Sequence, residues 1–279
     1  MKTVRRQNVF NTIGATIKFV MFWILVVLQL PIIILIPRGA PAVWYMRVFM
    51  WFLLKLAGIK IRVHGKIDSR RPILVVCNHI SVFEIATVPV ALGGSFIAKK
   101  EMEHWPLVGP IAKKFGVVFV DRRPSHAADA LRVVQERVKS VRYPMFLFPE
   151  GTTTNGAYVK PFKSTLFNFV EGGAVTVQPM TVHYRFRDGT PISDIDMAQH
   201  YAYFDNKKID VGPHCSRERS AFGQIFHIMV IGGFRVEITL LPPPDLADMN
   251  RKQIAHTLEQ IVSDKYMELK DIKNKEIKK

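Results

Sequence analysis

Two side chains able to handle a proton stand five positions apart at the end of an apolar run. The stretch Asn78-His79-Ile80-Ser81-Val82-Phe83-Glu84 follows Ile73-Leu74-Val75-Val76-Cys77. An imidazole beside a carboxylate pairs a general base with the group that fixes its tautomer. In one continuous helix the two would point about 140° apart and would not meet. Ser81 with Glu84 three residues on is a capping-box pattern, however. It predicts Ser81 at the N-cap, Glu84 at the third helical position and His79 in the turn outside. A side chain at that position leans back toward the helix N-terminus, so the carboxylate reaches the imidazole. A capping box beside an incidental histidine is the alternative reading, and the pair alone does not decide between them.

Other apolar runs also end in charge. Gly116-Val117-Val118-Phe119-Val120 leads into Asp121, Arg122 and Arg123, and a planar guanidinium suits phosphate. Met145-Phe146-Leu147-Phe148 leads into Pro149-Glu150-Gly151-Thr152. There the glycine lets backbone approach a ligand, and the carboxylate can accept from hydroxyls. Lys160 and Lys163 follow shortly, and Lys99 closes a further short run. Ordinary structural readings stand beside these: an ion pair between Asp121 and an arginine at a strand end, and a polar turn at Glu150.

For such ends to meet, the strands must stop at one edge of a sheet. Short β-branched runs predict strands at 59–64, 73–77, 95–98, 117–120, 145–148, 176–183 and 234–241. Apolar residues at helical spacing predict helices at 82–92, 103–114, 125–140, 161–171, 218–230 and 250–270. The alternation argues for an α/β fold, a layered, mainly parallel sheet with flanking helices. Such sheets bind ligands beyond the carboxyl ends of their strands.

Ahead of this domain, Phe19 to Ile36 holds 18 residues whose one polar side chain is Gln29. That approaches the roughly 20 residues needed to cross a bilayer. Residues 42–57 are again apolar but carry Arg47 and Lys55, and Lys2, Arg5, Arg6 and Lys18 precede the first run. Two apolar helices with basic outer flanks predict an N-terminal membrane-inserting hairpin in one leaflet; a single span followed by an interfacial helix is the alternative. Ala40-Pro41-Ala42 loosely mimics a signal cleavage site, but the apolar run is longer than a signal core. The chain thus divides into membrane-associated helices over 1–58 and a domain over 59–279 that ends in a basic helix and tail.

Lys and Arg number 39 against 23 Asp and Glu, a net charge of +16, which points to an anionic partner surface. Paired Cys/His spacings, an RNP-like strand and a basic zipper are missing, which argues against nucleic acid. Cys77 and Cys215 are the two cysteines, so neither a disulfide framework nor a cysteine metal site is suggested, and the soluble part is expected to face a reducing compartment.

Taken in order, these stretches resemble the membrane-bound glycerolipid acyltransferases typified by lysophosphatidic acid acyltransferase (1-acylglycerol-3-phosphate O-acyltransferase). The resemblance covers about residues 60–185 plus the helical start. The family's Asn-His-x4-acid block falls on Asn78, His79 and Glu84, with Glu where many members have Asp. Gly-x-x-Phe-x-Asp-Arg falls on Gly116, Phe119, Asp121 and Arg122. Phe-Pro-Glu-Gly-Thr-Arg falls on Phe148, Pro149, Glu150, Gly151 and Thr152, with Thr153 in place of Arg. Pro161, Phe162 and Lys163 match Pro-Phe-Lys-x-Gly, with Thr165 in place of Gly, and Val177, Gln178, Pro179 and Met180 match an apolar strand with a proline.

The resemblance implies a glycerol-3-phosphate acyltransferase-like fold with His79 and Glu84 as the catalytic pair. It implies substrate binding by Lys99, Arg122, Glu150, Gly151, Thr152 and Lys163, with Arg122 on the acceptor phosphate and Glu150 orienting glycerol. No metal or cofactor is implied. The activity implied is transfer of a fatty acyl group from acyl-CoA or acyl-acyl carrier protein to the sn-2 hydroxyl of 1-acylglycerol-3-phosphate. The product would be phosphatidic acid for phospholipid synthesis. Partners would be a lysophospholipid, the acyl donor and the bilayer, and the location an inner or cytoplasmic membrane with the domain on its cytoplasmic side. Thr153 favours another acceptor such as lyso-ornithine lipid. Hydrolysis by the same pair, and a non-catalytic membrane-surface binding protein, are the rival functions.

Overall fold

The computed structural model describes residues 9–37, 39–105, 108–120, 127–154, 156–192 and 221–276. Arg122, the lysine and arginines before residue 9, and Cys215 lie outside them.

Two apolar helices come first, α1 (Val9–Leu35) and α2 (Ala40–Leu56). Gly39 between them takes φ +104°, a conformation open to glycine, and Pro41 sits in the first turn of α2, where no N–H is needed. Residues 10–35 form a 26-residue segment containing an 18-residue stretch of mean hydropathy 2.5, with Phe10, Ile17, Val27, Leu28 and Leu35 exposed. In water that surface would be unfavourable. The helix is long and apolar enough to insert into a membrane.

The helical start is tied to the rest of the chain. Arg47 on α2 donates to the carbonyls of Val90 (2.8 Å) and Ala91 (3.0 Å) at the end of α3 (Glu84–Leu92). Lys114, at the end of α4 (Val108–Lys114), donates to the Ile34 carbonyl of α1. Alongside α1 runs α6 (Ala221–Val230), where Trp23 stacks on Phe222 with centroids 4.6 Å apart and Phe19 meets Phe226 edge-on at 5.3 Å.

Seven strands form the sheet: β1 (Lys60–His64), β2 (Ile73–Cys77), β3 (Ser95–Lys99), β4 (Val118–Val120), β5 (Met145–Leu147), β6 (Thr176–Arg185) and β7 (Arg235–Leu240). Their order is β1-β7-β6-β2-β5-β3-β4. Neighbours from β6 to β4 pair parallel, β6 and β7 antiparallel, and β7 and β1 parallel. The five residues of β2 and the three of β5 are all buried, which is why these strands read as unbroken apolar runs. The remaining helices are α5 (Ala127–Ser140) and α7 (Arg251–Glu276). Ile254, Leu258, Val262 and Tyr266 form one buried stripe on α7, which packs on β6 and on the 3-10 turn Ser164–Phe167.

The expected fold class holds, with local departures. The helix expected over 161–171 is only that 3-10 turn. The Phe162 N–H donates to Glu259 on α7 (3.1 Å) and the Lys163 N–H to the Pro149 carbonyl (3.0 Å), so tertiary bonds take the donors a helix would start from. The expected helix 103–114 divides into a 3-10 segment, Lys100–His104, and α4, with Pro106 between them lacking the N–H a continuous helix uses. Ser81 does not cap α3. The helix begins at Glu84, and residues 81–83 approach it through a tighter turn.

Candidate active site

Because β2, β5, β3 and β4 are parallel neighbours, their carboxyl ends line one edge of the sheet. His79 follows β2, Glu150 follows β5 and Lys99 ends β3; Asp121 and Arg122, next in the sequence after Val120, lie outside the described residues. At ~4.8 Å per strand, Lys99 falls roughly 10 Å along that edge from His79.

The predicted pair meets. His79 Nδ1 lies 2.9 Å from Glu84 Oε2. The carboxylate also accepts the Ser81 N–H, at 2.8 Å to Oε2 and 3.0 Å to Oε1, which is the returning half of a capping box. Oε1 further accepts the Tyr184 hydroxyl of β6 at 2.5 Å. Glu84 is fully buried, while the His79 side chain keeps 15% exposure. With Nδ1–H given to Glu84, the neutral ring leaves its Nε2 lone pair for a substrate proton. The ring lies against Phe148, centroids 4.4 Å apart and planes 27° off parallel.

The backbone around the histidine is held from three sides. Asn78 donates to the Val182 carbonyl and accepts from the Val182 N–H, both at 2.8 Å, extending the junction of β2 and β6 past the end of β2. The Thr154 N–H donates to the His79 carbonyl at 2.9 Å. Glu150 accepts the His79 N–H at 2.5 Å on one oxygen and the Lys160 N–H at 2.9 Å on the other. Gly151 closes the turn at φ +74°, its N–H bonded to the Phe148 carbonyl at 3.1 Å, and a side chain there would be strained. From α7, Tyr266 and Lys270 donate to the Gly156 carbonyl at 2.6 and 3.0 Å, fastening the same loop.

Burial pushes the Glu150 carboxyl up to about 8, against the pull of the Lys160 and His79 N–H groups. Burial, then the charges of Glu84 and Glu150, push the Cys77 thiol well up, so it stays a thiol and serves poorly as a nucleophile. The Ser81 side chain is also fully buried.

Of the other expected binding residues, Thr152 and Lys99 are half-buried and Lys163 is exposed. Thr153, where the family has Arg, is buried, at 6% exposure. Sequence reasoning did not single out Tyr184, Thr154, the stacking of Phe148 on His79 or the bridging role of Asn78. Tyr184 lies 100 positions from Glu84, and only the β2–β6 register brings them together. For Phe148 the signal was its place in the block around Glu150, and Thr154 directly follows that block.

Residues 60–183 match the family profile described as Acyltransferase. A lyso-ornithine lipid O-acyltransferase of Brucella abortus is 31% identical over 225 residues, covering 77% of this chain and 78% of that protein. One from Pseudomonas aeruginosa is 32% identical, covering 55% of this chain and 62% of its own length. A 1-acyl-sn-glycerol-3-phosphate acyltransferase of Neisseria gonorrhoeae is 32% identical over 42% of this chain and 46% of its own. The chain thus spans between about half and three quarters of these curated relatives. The crystal structure of the LPA acyltransferase PlsC from Thermotoga maritima superposes with TM-score 0.61 at 19% identity, over 93% of this chain and 98% of that one, and so shares the fold. The chain belongs to the glycerolipid acyltransferase family that the lysophosphatidic acid acyltransferases typify.

Proposed function

We propose that the protein is a lysolipid O-acyltransferase whose acceptor is lyso-ornithine lipid. The observation that carries the chemistry is the 2.9 Å contact between His79 Nδ1 and the buried Glu84 carboxylate. His79 Nε2 takes the proton of the acceptor hydroxyl as its oxygen attacks the thioester carbonyl, and Glu84 stabilises the imidazolium that forms. Collapse of the tetrahedral intermediate leaves the new ester and expels the thiolate, which recovers the proton from His79. Direct transfer needs no acyl-enzyme, in keeping with the buried Cys77 and Ser81.

For the acceptor, Thr153 in place of an arginine removes a partner for phosphate, and an ornithine headgroup carries none. The Brucella and Pseudomonas relatives support the same choice. The second reading, 1-acylglycerol-3-phosphate, is favoured by Asp121-Arg122 in the sequence and by the Neisseria relative. Lys99, Arg122 and Lys163 would then hold the phosphate. Under either reading α1 and α2 keep the domain at the membrane where the lipid partitions. The basic start of the chain favours a cytoplasmic face, and the +16 charge attracts acyl carrier protein or coenzyme A phosphates.

The test is incubation of detergent-solubilised protein with labelled acyl-CoA or acyl-acyl carrier protein and a panel of lysolipids. The expected result is ester formed on lyso-ornithine lipid with kcat/KM at least about tenfold above 1-acylglycerol-3-phosphate. The reverse preference overturns the acceptor, and free fatty acid as the product overturns acyl transfer in favour of hydrolysis.

A further inference from the structure

We propose that Tyr184 is a positioning residue of the catalytic pair, its hydroxyl holding the Glu84 carboxylate in the orientation from which Glu84 holds His79. This rests on the proposed role of His79 and Glu84 and adds to it a residue from a different strand.

Glu84 has no exposure, and among the described residues no lysine or arginine lies within ion-pair distance of it. A buried carboxylate without a cation needs hydrogen-bond donors to remain an anion. Three donors serve it: the His79 ring, the Ser81 N–H and the Tyr184 hydroxyl. The first two come from the short turn that also carries the helix start. Tyr184 comes from the sheet. Its backbone is paired with Val236 in the β6–β7 ladder, and its ring packs on Phe234 at 4.9 Å. Without the hydroxyl, Oε1 would keep only the longer, shared bond from Ser81, and the carboxylate would be free to turn Oε2 away from the imidazole.

Tyr184 is also a donor that does not ionise in the working range, since burial and then the charge of Glu84 push its phenol far up. The titratable groups around the carboxylate are Cys77 and His79 from the end of β2, Glu150 after β5, Tyr184 on β6 and, beyond it, Tyr266 on α7. On α3 there is only Glu84 itself. Removing a neutral donor leaves more of the carboxylate's negative charge to act on the imidazolium. The acidic limb of the pH profile should therefore move up in a variant that lacks the hydroxyl.

The experiment compares wild type, Tyr184→Phe and a variant with 3-fluorotyrosine at this position, measuring kcat, both KM values and the acidic limb of the kcat/KM profile. The phenylalanine variant is expected to lose about tenfold in kcat with both KM values within about twofold, and to shift the limb up by roughly half to one pH unit. Fluorotyrosine, a stronger donor, is expected to shift the limb down. In a Glu84→Gln background, adding Tyr184→Phe is expected to change kcat by less than about twofold. A limb that stays put in both the phenylalanine and fluorotyrosine variants overturns the proposal, as does an equal loss with and without Glu84. The fluorinated variant keeps the hydroxyl, so it decides the matter if Tyr184→Phe does not fold. His79→Ala, run alongside, separates the two claims. If it is inactive while the Tyr184 variants leave the limb in place, only the role of Tyr184 fails; if it is active, the catalytic pair itself fails.

Discussion

Glu150→Gln separates a carboxylate that braces the site from one that grips the substrate. Both Glu150 oxygens accept backbone N–H groups, of His79 at 2.5 Å and Lys160 at 2.9 Å, and the residue is 3% exposed. Its carboxyl is raised from 4.5 to about 8, chiefly by burial. A raised acid binds a proton in the folded state that the unfolded chain has already released. Its contribution is therefore unchanged below the unfolded value and declines as pH rises toward the folded one. The slope is about 1.4 kcal/mol per pH unit, so roughly 3 kcal/mol of stability is lost between about pH 5.5 and 7.5. Glutamine is neutral and does not titrate, but its NH2 group faces one of the two backbone N–H donors and forfeits that bond, a cost of about 1–3 kcal/mol that does not vary with pH. Urea unfolding in detergent, followed by tryptophan fluorescence, should therefore find the variant less stable near the lower pH. The difference should move in the variant's favour by roughly 3 kcal/mol by the upper one, with little further change beyond about 8. In turnover, loss of the brace should lower kcat and leave the acceptor KM within about twofold. Parallel pH dependences for the two proteins would refute the burial argument. A raised acceptor KM with normal kcat would return Glu150 to the substrate.

Two other substitutions probe the same frame. Asn78→Ala leaves the Val182 N–H and carbonyl buried without the amide that each met at 2.8 Å; at about 1–3 kcal/mol per group, unfolding free energy should fall by roughly 2–6 kcal/mol, and an unchanged urea midpoint would contradict the bridge. Glu84→Asp draws the carboxylate back by about 1.5 Å, out of reach of His79 and Tyr184 together, and kcat should drop about a hundredfold; full turnover would mean the longer side chain is incidental.

The strands and the His79–Glu84 contact were legible in the sequence because their signals are local. A buried parallel strand such as Ile73–Cys77 is an unbroken apolar run, and a capping-box spacing joins Ser81 to Glu84. What escaped was set at long range. Tyr184 reaches Glu84 through strand register, and Glu259 on α7 takes the Phe162 N–H, so the apolar content of 161–171 does not become a helix. The place of Glu150 at the end of β5 was legible, but its backbone partners were not. Whether a carboxylate faces a ligand or an N–H depends on how the loop folds back, and here Tyr266 and Lys270 of α7 help to fasten that loop.

The claim on which the account depends is that His79 is the base. Its direct test is kcat of His79→Ala with a lysolipid acceptor and an acyl thioester, after circular dichroism and urea unfolding match wild type. A drop on the order of 10³ or more is predicted, because proton transfer and its orientation by Glu84 are lost together. Turnover within about tenfold of wild type would contradict it.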